Sequence, residues 1–239
     1  MTVRCEWGLK GVELLRDRAG VIVIVDVLSF TTAVDVATAR GALIYPHAYD
    51  RSADGAARAE EAARAVGAVL ALPRKVAAGG QYSLSPASLA GAAPAARIML
   101  PSPNGSTLTL ACGDTPVFAG CLRNATALAD SVRAFAGGRD IAVIPAGERW
   151  PQDDSLRPAI EDWLGAGAII SALGLPCAPE AELARISFEA ARADFAHLIR
   201  TSMSGRELIE GGYEGDVEMA IDLDVSDGAP LLVDGAYRQ

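Results

Sequence analysis

Aromatic residues are scarce in this chain: they make up 5% of 239 residues, and histidine occurs only twice. Burial must rest on aliphatic side chains, and the 51% hydrophobic content is carried mainly by Ala, Val, Leu and Ile. That composition suits helices layered on a sheet. Basic charge is also short, since 21 Lys plus Arg against 30 Asp plus Glu leave a net charge of −9. The chain therefore lacks the electrostatic footprint of a nucleic-acid or anionic-membrane binder. An anionic ligand has to be held by local devices such as helix N-termini, a few arginines or a metal ion. The four cysteines, Cys5, Cys112, Cys121 and Cys177, form no CxxC. With two histidines they argue against structural zinc, and they are too sparse for a disulfide scaffold. No apolar h-region opens the chain, and no apolar run nears the roughly 18 residues of a membrane span. The expectation is a cytoplasmic protein with neither membrane nor nucleic acid as partner, and a homo-oligomer is left open.

What is present is a recurring unit: a short β-branched run, a polar loop, then an Ala-rich helical stretch. Val21 to Val25 is continuously apolar, as in a strand buried on both faces. Further strands are predicted at 43–45, 69–72, 97–100, 117–120 and 141–144. Helices are predicted after most of them, with others over about 158–173 and 180–200. Residues 73–96 are irregular and rich in Gly, Ser, Ala and Pro, and a segment of that length inside a compact chain points to function. The tail from Gly211 reads as acidic and turn-rich, with Asp216, Glu218, Asp222, Asp224 and Asp227 as a solvated face. The alternation predicts an α/β fold with a mostly parallel sheet and flanking helices. It is treated as one unit over 1–239, with two interlocked lobes, 1–85 and 86–239, as an alternative division.

In open α/β sheets, ligands bind beyond the carboxyl ends of the strands. Four loops begin at such ends, at Asp26, Pro101, Cys121 and Pro145. Asp26 is placed either as a Mg²⁺ ligand or as a cap for the next helix. Ser29, Thr31 and Thr32 lie at that helix start, where hydroxyls and free N–H groups can hold phosphate. Asn104, Gly105, Ser106 and Thr107 form a second such loop, which an ordinary turn with an N-cap explains equally well. Glu148 and Arg149 place a carboxylate beside a guanidinium, suited to water activation and phosphate binding or to a plain surface ion pair. Arg123 and Asn124 repeat the theme at the third loop. Glu161 and Asp162 open a helix, where its dipole accounts for them. No GxxxxGK[ST] and no GxGxxG occurs, which excludes P-loop and dinucleotide readings. His47 and His197 are read as structural.

Four segments occur together and in order: Val23 to Thr32, Pro103-Asn104-Gly105-Ser106, Ala146-Gly147-Glu148-Arg149 and Ile160 to Ile169, with Gly211 to Val217 near the end. The set resembles the 2-phosphosulpholactate phosphatase family of coenzyme M biosynthesis, over nearly the whole chain. The resemblance implies an α/β hydrolase that uses Mg²⁺ to remove phosphate from 2-phospho-3-sulfolactate, a small anionic phosphorylated substrate. Under it, Asp26, Glu148 and Glu161 are the metal ligands, and Asp26, Glu148 and Arg149 are catalytic. Ser29, Thr31, Thr32, Asn104, Gly105, Ser106, Thr107, Arg123 and Asn124 then bind substrate. The chain departs from the family in three places. Ser29 stands where an Arg is usual, Ser83-Leu84-Ser85-Pro86 where a Gly-Asn-Ser-Pro-like segment is, and Met203-Ser204-Gly205 where Ser-His-Gly is. These departures motivate the competing reading, a non-catalytic binder of phosphorylated or sulfonated metabolites.

Overall fold

The computed structural model describes all 239 residues. Its strands are β1 (Val3–Cys5), β2 (Val21–Val25), β3 (Leu43–Ala48), β4 (Val69–Leu70), β5 (Arg97–Ser102), β6 (Val117–Gly120), β7 (Ile141–Pro145), β8 (Glu148–Arg149), β9 (Leu156–Arg157), β10 (Leu231–Val233) and β11 (Ala236–Arg238). Its helices are α1 (Gly8–Leu15), α2 (Phe30–Thr38), α3 (Gly55–Ala65), α4 (Pro86–Leu89), α5 (Gly105–Ala111), α6 (Ala125–Ala136), α7 (Ile160–Leu173), α8 (Pro179–Ala191), α9 (Phe195–Thr201), α10 (Met203–Glu210) and α11 (Glu214–Ala220). Nine strands form one sheet in the order β1-β7-β2-β6-β10-β11-β3-β5-β4, and β8 and β9 form a separate ribbon.

The pattern of β2 explains its place in the interior of the sheet, between β7 and β6. All five of its residues are buried. Successive side chains of a strand point to opposite faces, so Val21, Val23 and Val25 enter one core and Ile22 and Ile24 enter the other. Strand β7 divides in the same way, with Ile141 and Val143 on one face and Ala142 and Ile144 on the opposite one. Helices α6, α7 and α8 cover the first face, while α1, α2 and α5 cover the second. Helix α7 is apolar nearly all round because it lies between the sheet and α8. Gly167 allows that sandwich: a Cβ there would stand 2.2 Å from the Ala184 carbonyl oxygen of α8.

The sheet is two parallel blocks joined by an antiparallel hairpin. Strands β1, β7, β2 and β6 pair in parallel, as do β3, β5 and β4. The hairpin β10–β11 sits between them, with β10 antiparallel to β6 and β11 antiparallel to β3. Asp234 (φ 51°) and Gly235 (φ 79°) make its two-residue turn, with both φ values positive as a type I′ turn requires. Tyr237 of β11 is fully buried, edge-on to Phe30 with ring centroids 6.1 Å apart and its hydroxyl 2.7 Å from Thr109 Oγ1.

Two predicted segments differ from the structure. The tail is only in part a solvated acidic face: Asp222, Asp224 and Asp227 are exposed, but Asp216 on α11 is 2% exposed, and the hairpin joins the sheet. The helix predicted over 180–200 is broken into α8 and α9 by a turn at Arg192–Asp194. No helix is long and apolar enough to cross a membrane.

Candidate active site

The loops that end β2, β5 and β7 meet around one carboxylate. Asp26 follows β2 directly and is 5% exposed. Its Oδ2 accepts the Gly105 N–H at 2.7 Å and its Oδ1 the Phe30 N–H at 3.2 Å. Asp26 is thus both the cap of α2 and the anchor of the 102–105 loop, although β5 lies five places from β2 in the sheet. Helices α2 and α5 pack into the same core and carry the loop back. Gly105 is needed for the approach: a Cβ would fall 2.2 Å from Phe30 Cδ1 and 2.8 Å from Asp26 Oδ2. Gly105→Ala is therefore expected to cost about 1–3 kcal/mol of stability, as core overpacking does, and to displace Asn104; thermal melting and phosphatase assays would check both.

Three further carboxylates surround Asp26. Asp162, in the first turn of α7, accepts the Val27 N–H at 2.7 Å and the Gly147 N–H at 2.8 Å, tying the β2 and β7 loops together. Helix-dipole stabilisation alone therefore does not account for it. Glu148 Oε2 accepts the Asn104 side-chain N–H at 2.9 Å, and its Oε1 has no protein partner. Glu161 is 1% exposed and lies against the hydroxyls of Ser202 and Ser204.

The electrostatics follow from crowding acids away from water. Burial pushes Asp26 up to about 6 against the pull of its two N–H donors. Burial, then the Asp26 and Glu161 charges, push Glu148 up to about 7. Burial likewise raises Glu161, and raises Asp162 well above the usual carboxylate range. The cation closest to compensating them is Arg157, 8% exposed, which opposes the shifts of Glu148 and Glu161. It stands opposite Glu148 in the β8–β9 register. It also reaches Ser204 Oγ at 3.4 Å and Glu207 at 3.5 Å, and lies over the Trp150 ring.

Of the four acids Glu148 lines a cavity of about 790 Å³, together with Ser204, Arg74, Lys75, Arg51 and His47. No three of the acids are drawn to one point at ligand distance. The donor chemistry nonetheless fits Mg²⁺, which takes oxygen ligands from one or two carboxylates and keeps several waters. The acids supply only oxygen, outnumber the nearby cations and leave Glu148 Oε1 free.

The other residues singled out in the sequence take different places. Thr31 and Thr32 are fully buried, with their hydroxyls committed to the carbonyls of Asp26 and Val27 at 2.8 Å. Ser106 Oγ bonds the Leu100 carbonyl, and Thr107 Oγ1 the Ser102 carbonyl. Arg123 pairs with fully buried Asp35 at 3.0 Å, and Asn124 closes its own turn on Cys121 and Ala119. Both thus brace the third loop outside the cavity lining. Arg149 points away from Glu148, as the next residue of a strand must, and bonds the Asp154 carbonyl at 3.1 Å. The guanidinium beside the carboxylates is that of Arg157.

Arg74 was also missed in the sequence. It lies in the irregular segment, and its Nη2 donates to Ser29 Oγ. Ser29, uncharged itself, thereby has a guanidinium at its hydroxyl.

Compared with known proteins, the chain matches the family model described as 2-phosphosulpholactate phosphatase over residues 11–235. No curated protein matches it significantly. The family match covers nearly the whole chain and includes every loop that builds the carboxylate cluster, so the chain belongs to the 2-phosphosulpholactate phosphatase family, a family of phosphoric monoester hydrolases.

Proposed function

We propose that this phosphatase hydrolyses the phosphate monoester of a small hydroxy acid, 2-phospho-3-sulfolactate or a close relative, with Mg²⁺ as cofactor. The observation that carries this is the cluster of four buried carboxylates beside a cavity that also presents Arg74, Lys75 and Arg51. Asp26, Glu148 and Glu161 are the residues that would hold the ion. Bound there, Mg²⁺ would neutralise charge on the phosphoryl oxygens and make a coordinated water more acidic.

The chain's own groups supply the rest. Asn104 fixes the orientation of Glu148 through Oε2, leaving Oε1 to accept a proton from the attacking water. The first N–H groups of a helix have no intrahelical partners. At the start of α2, those of Phe30 and Thr31 are already bonded to Asp26. Gly105 at the start of α5 likewise gives its N–H to Asp26, so phosphoryl oxygens are left to the bound ion. Arg157 offsets charge that develops there. A second acidic residue two positions after Asp26 would favour a phospho-enzyme route; Leu28 occupies that place.

Arg157→Ala is expected to lower kcat/KM by about 10²–10³, the order seen when one preorganised donor is removed, whereas Arg149→Ala stays close to wild type. The reverse ranking would return the catalytic cation to position 149. The function itself is tested by phosphate release across phosphorylated hydroxy acids, with and without a sulfonate, in Mg²⁺ and in chelator. Release that depends on Mg²⁺ and favours the hydroxy-acid esters supports the proposal. Binding of those compounds with no release from any of them would instead support a non-catalytic binder.

A further inference from the structure

Arg74 is held on a built bracket. Its Nε donates to Asp216 Oδ2 at 3.2 Å, its Nη2 to Ser29 Oγ and, at 3.3 Å, to the Leu84 carbonyl, and its guanidinium lies 5.5 Å from the Tyr213 ring centroid. Asp216 is in turn fixed by the Ser85 hydroxyl and the Ala87 N–H. Three separate segments, around Ser29, Leu84 and Tyr213–Asp216, thus converge on one side chain, which is more than a surface ion pair requires. Nη1 has no partner in the protein, and Arg74 lines the same cavity as Glu148. Lys75 adds positive charge to that lining, and Arg51 stands there 3.9 Å from Asp154. Of the acidic lining residues, Asp50 is paired with Arg58 and Glu207 with Arg157, while Glu60 is exposed. The cavity therefore has two chemistries. Glu148, the cavity-facing member of the carboxylate cluster, lies at one place, and a preorganised guanidinium lies one hydroxyl away from the loop that follows Asp26.

Resting on the phosphatase reading above, the geometry points to Arg74 as the residue that selects phosphate monoesters bearing a second acidic group, sulfonate or carboxylate, a carbon or two from the ester. Its planar fork offers paired donors to a planar or tetrahedral oxyanion. The pair with Asp216 fixes its orientation without occupying Nη1. Phosphate itself stays with the carboxylates, the bound ion and Arg157.

The test compares kcat/KM for 2-phospho-3-sulfolactate, 2-phospholactate and an aryl phosphate in wild type, Arg74→Gln and Arg74→Lys. Hydrogen bonds to charged groups contribute about 1.5–3 kcal/mol, or roughly tenfold to a hundredfold. Arg74→Gln should lower kcat/KM for esters with a second acid by that factor more than for the aryl phosphate, with the loss mainly in KM. The ester that loses most identifies which acid is read. Arg74→Lys should recover part of the preference. An equal fall for all three substrates, or an unchanged preference, would overturn the inference. Arg74→Gln leaves Asp216 buried and unpaired; if it fails to fold, Arg74→Gln with Asp216→Asn carries the same comparison. Calorimetric binding of 3-sulfolactate and of lactate separates this inference from the phosphatase reading. Binding of either that is lost in Arg74→Gln, with no phosphate released by wild type, would sink the phosphatase reading and keep the role of Arg74. Absent binding together with absent turnover would overturn both.

Discussion

Asp26→Asn is expected to lower kcat for phosphate release by about 10³-fold, the upper end of the loss when one preorganised electrostatic group is removed. Excess Mg²⁺ should not restore it. Asn is nearly isosteric, and its carbonyl oxygen can still accept one of the two N–H bonds that now reach Asp26 from Phe30 and Gly105. Its amide must face the other donor, so the loop carrying Asn104 loosens while a carboxylate is lost from the centre of the cluster. Both effects act on catalysis, and neither needs the fold to fail. Circular dichroism and melting should show a folded protein. A rate within tenfold of wild type at saturating Mg²⁺ would remove Asp26 from the chemistry and leave it as the cap of α2.

Glu148→Gln is expected to do two opposite things. Activity should fall by about 10²–10³, because Gln cannot take a proton from water. Stability of the metal-free protein should rise at alkaline pH. The folded protein holds the Glu148 carboxyl at about 7, above its ordinary value of 4.5. Between those two values the unfolded chain binds fewer protons than the folded one, so this group's contribution falls as pH rises through the window. Gln has no such slope. The shift corresponds to about 3 kcal/mol once the group is fully ionised, or roughly 6–12 °C for a chain of this size. Melting in chelator should then separate variant from wild type above pH 7.5 and bring them together near pH 5. Equal melting temperatures at both pH values would show that Glu148 is not held in the crowded, desolvated state described above.

Strand order and layer structure were only partly legible in the sequence. The runs at 21–25 and 141–145 announce themselves because strands buried on both faces carry no polar positions. The hairpin that joins the two parallel blocks was missed, although Leu231-Leu232-Val233-Asp234-Gly235-Ala236-Tyr237 carries an Asp-Gly pair between apolar runs, the strongest short-range hairpin signal. Acidic composition upstream concealed it. The same bias gave Asp216 to solvent, whereas Arg74, distant by 142 residues, makes its burial tolerable.

Within the site, strand-end position pointed to Asp26, Asn104, Gly105 and Glu148, and these are the residues the structure joins by hydrogen bonds. It could not distinguish hydroxyls facing a cavity from hydroxyls closing the backbone, so Thr31, Thr32, Ser106 and Thr107 looked alike. Arg149 was favoured for its adjacency to Glu148. Adjacency along a strand is a reason for opposite orientation, and the residue two strands' pairing places beside Glu148 is Arg157. Arg74 acts through Ser29 and Asp216, 45 and 142 residues away, which no local pattern reveals, and Arg157 faces Glu148 across strands of two residues each, too short to leave a pattern in the sequence.

The most direct test of the account is calorimetric titration of Mg²⁺ into the metal-free protein near pH 6.5, in buffers of different ionisation enthalpy. Asp26 and Glu148 are held at about 6 and about 7 by burial and by repulsion from neighbouring carboxylates, Glu161 on both and Asp26 on Glu148, and an ion that binds carboxylates must displace their protons. One ion should bind per chain, with proton release that shrinks above pH 8 and with binding lost in Asp26→Asn. Binding without proton release and indifferent to Asp26→Asn, or full phosphatase activity in chelator, would contradict it.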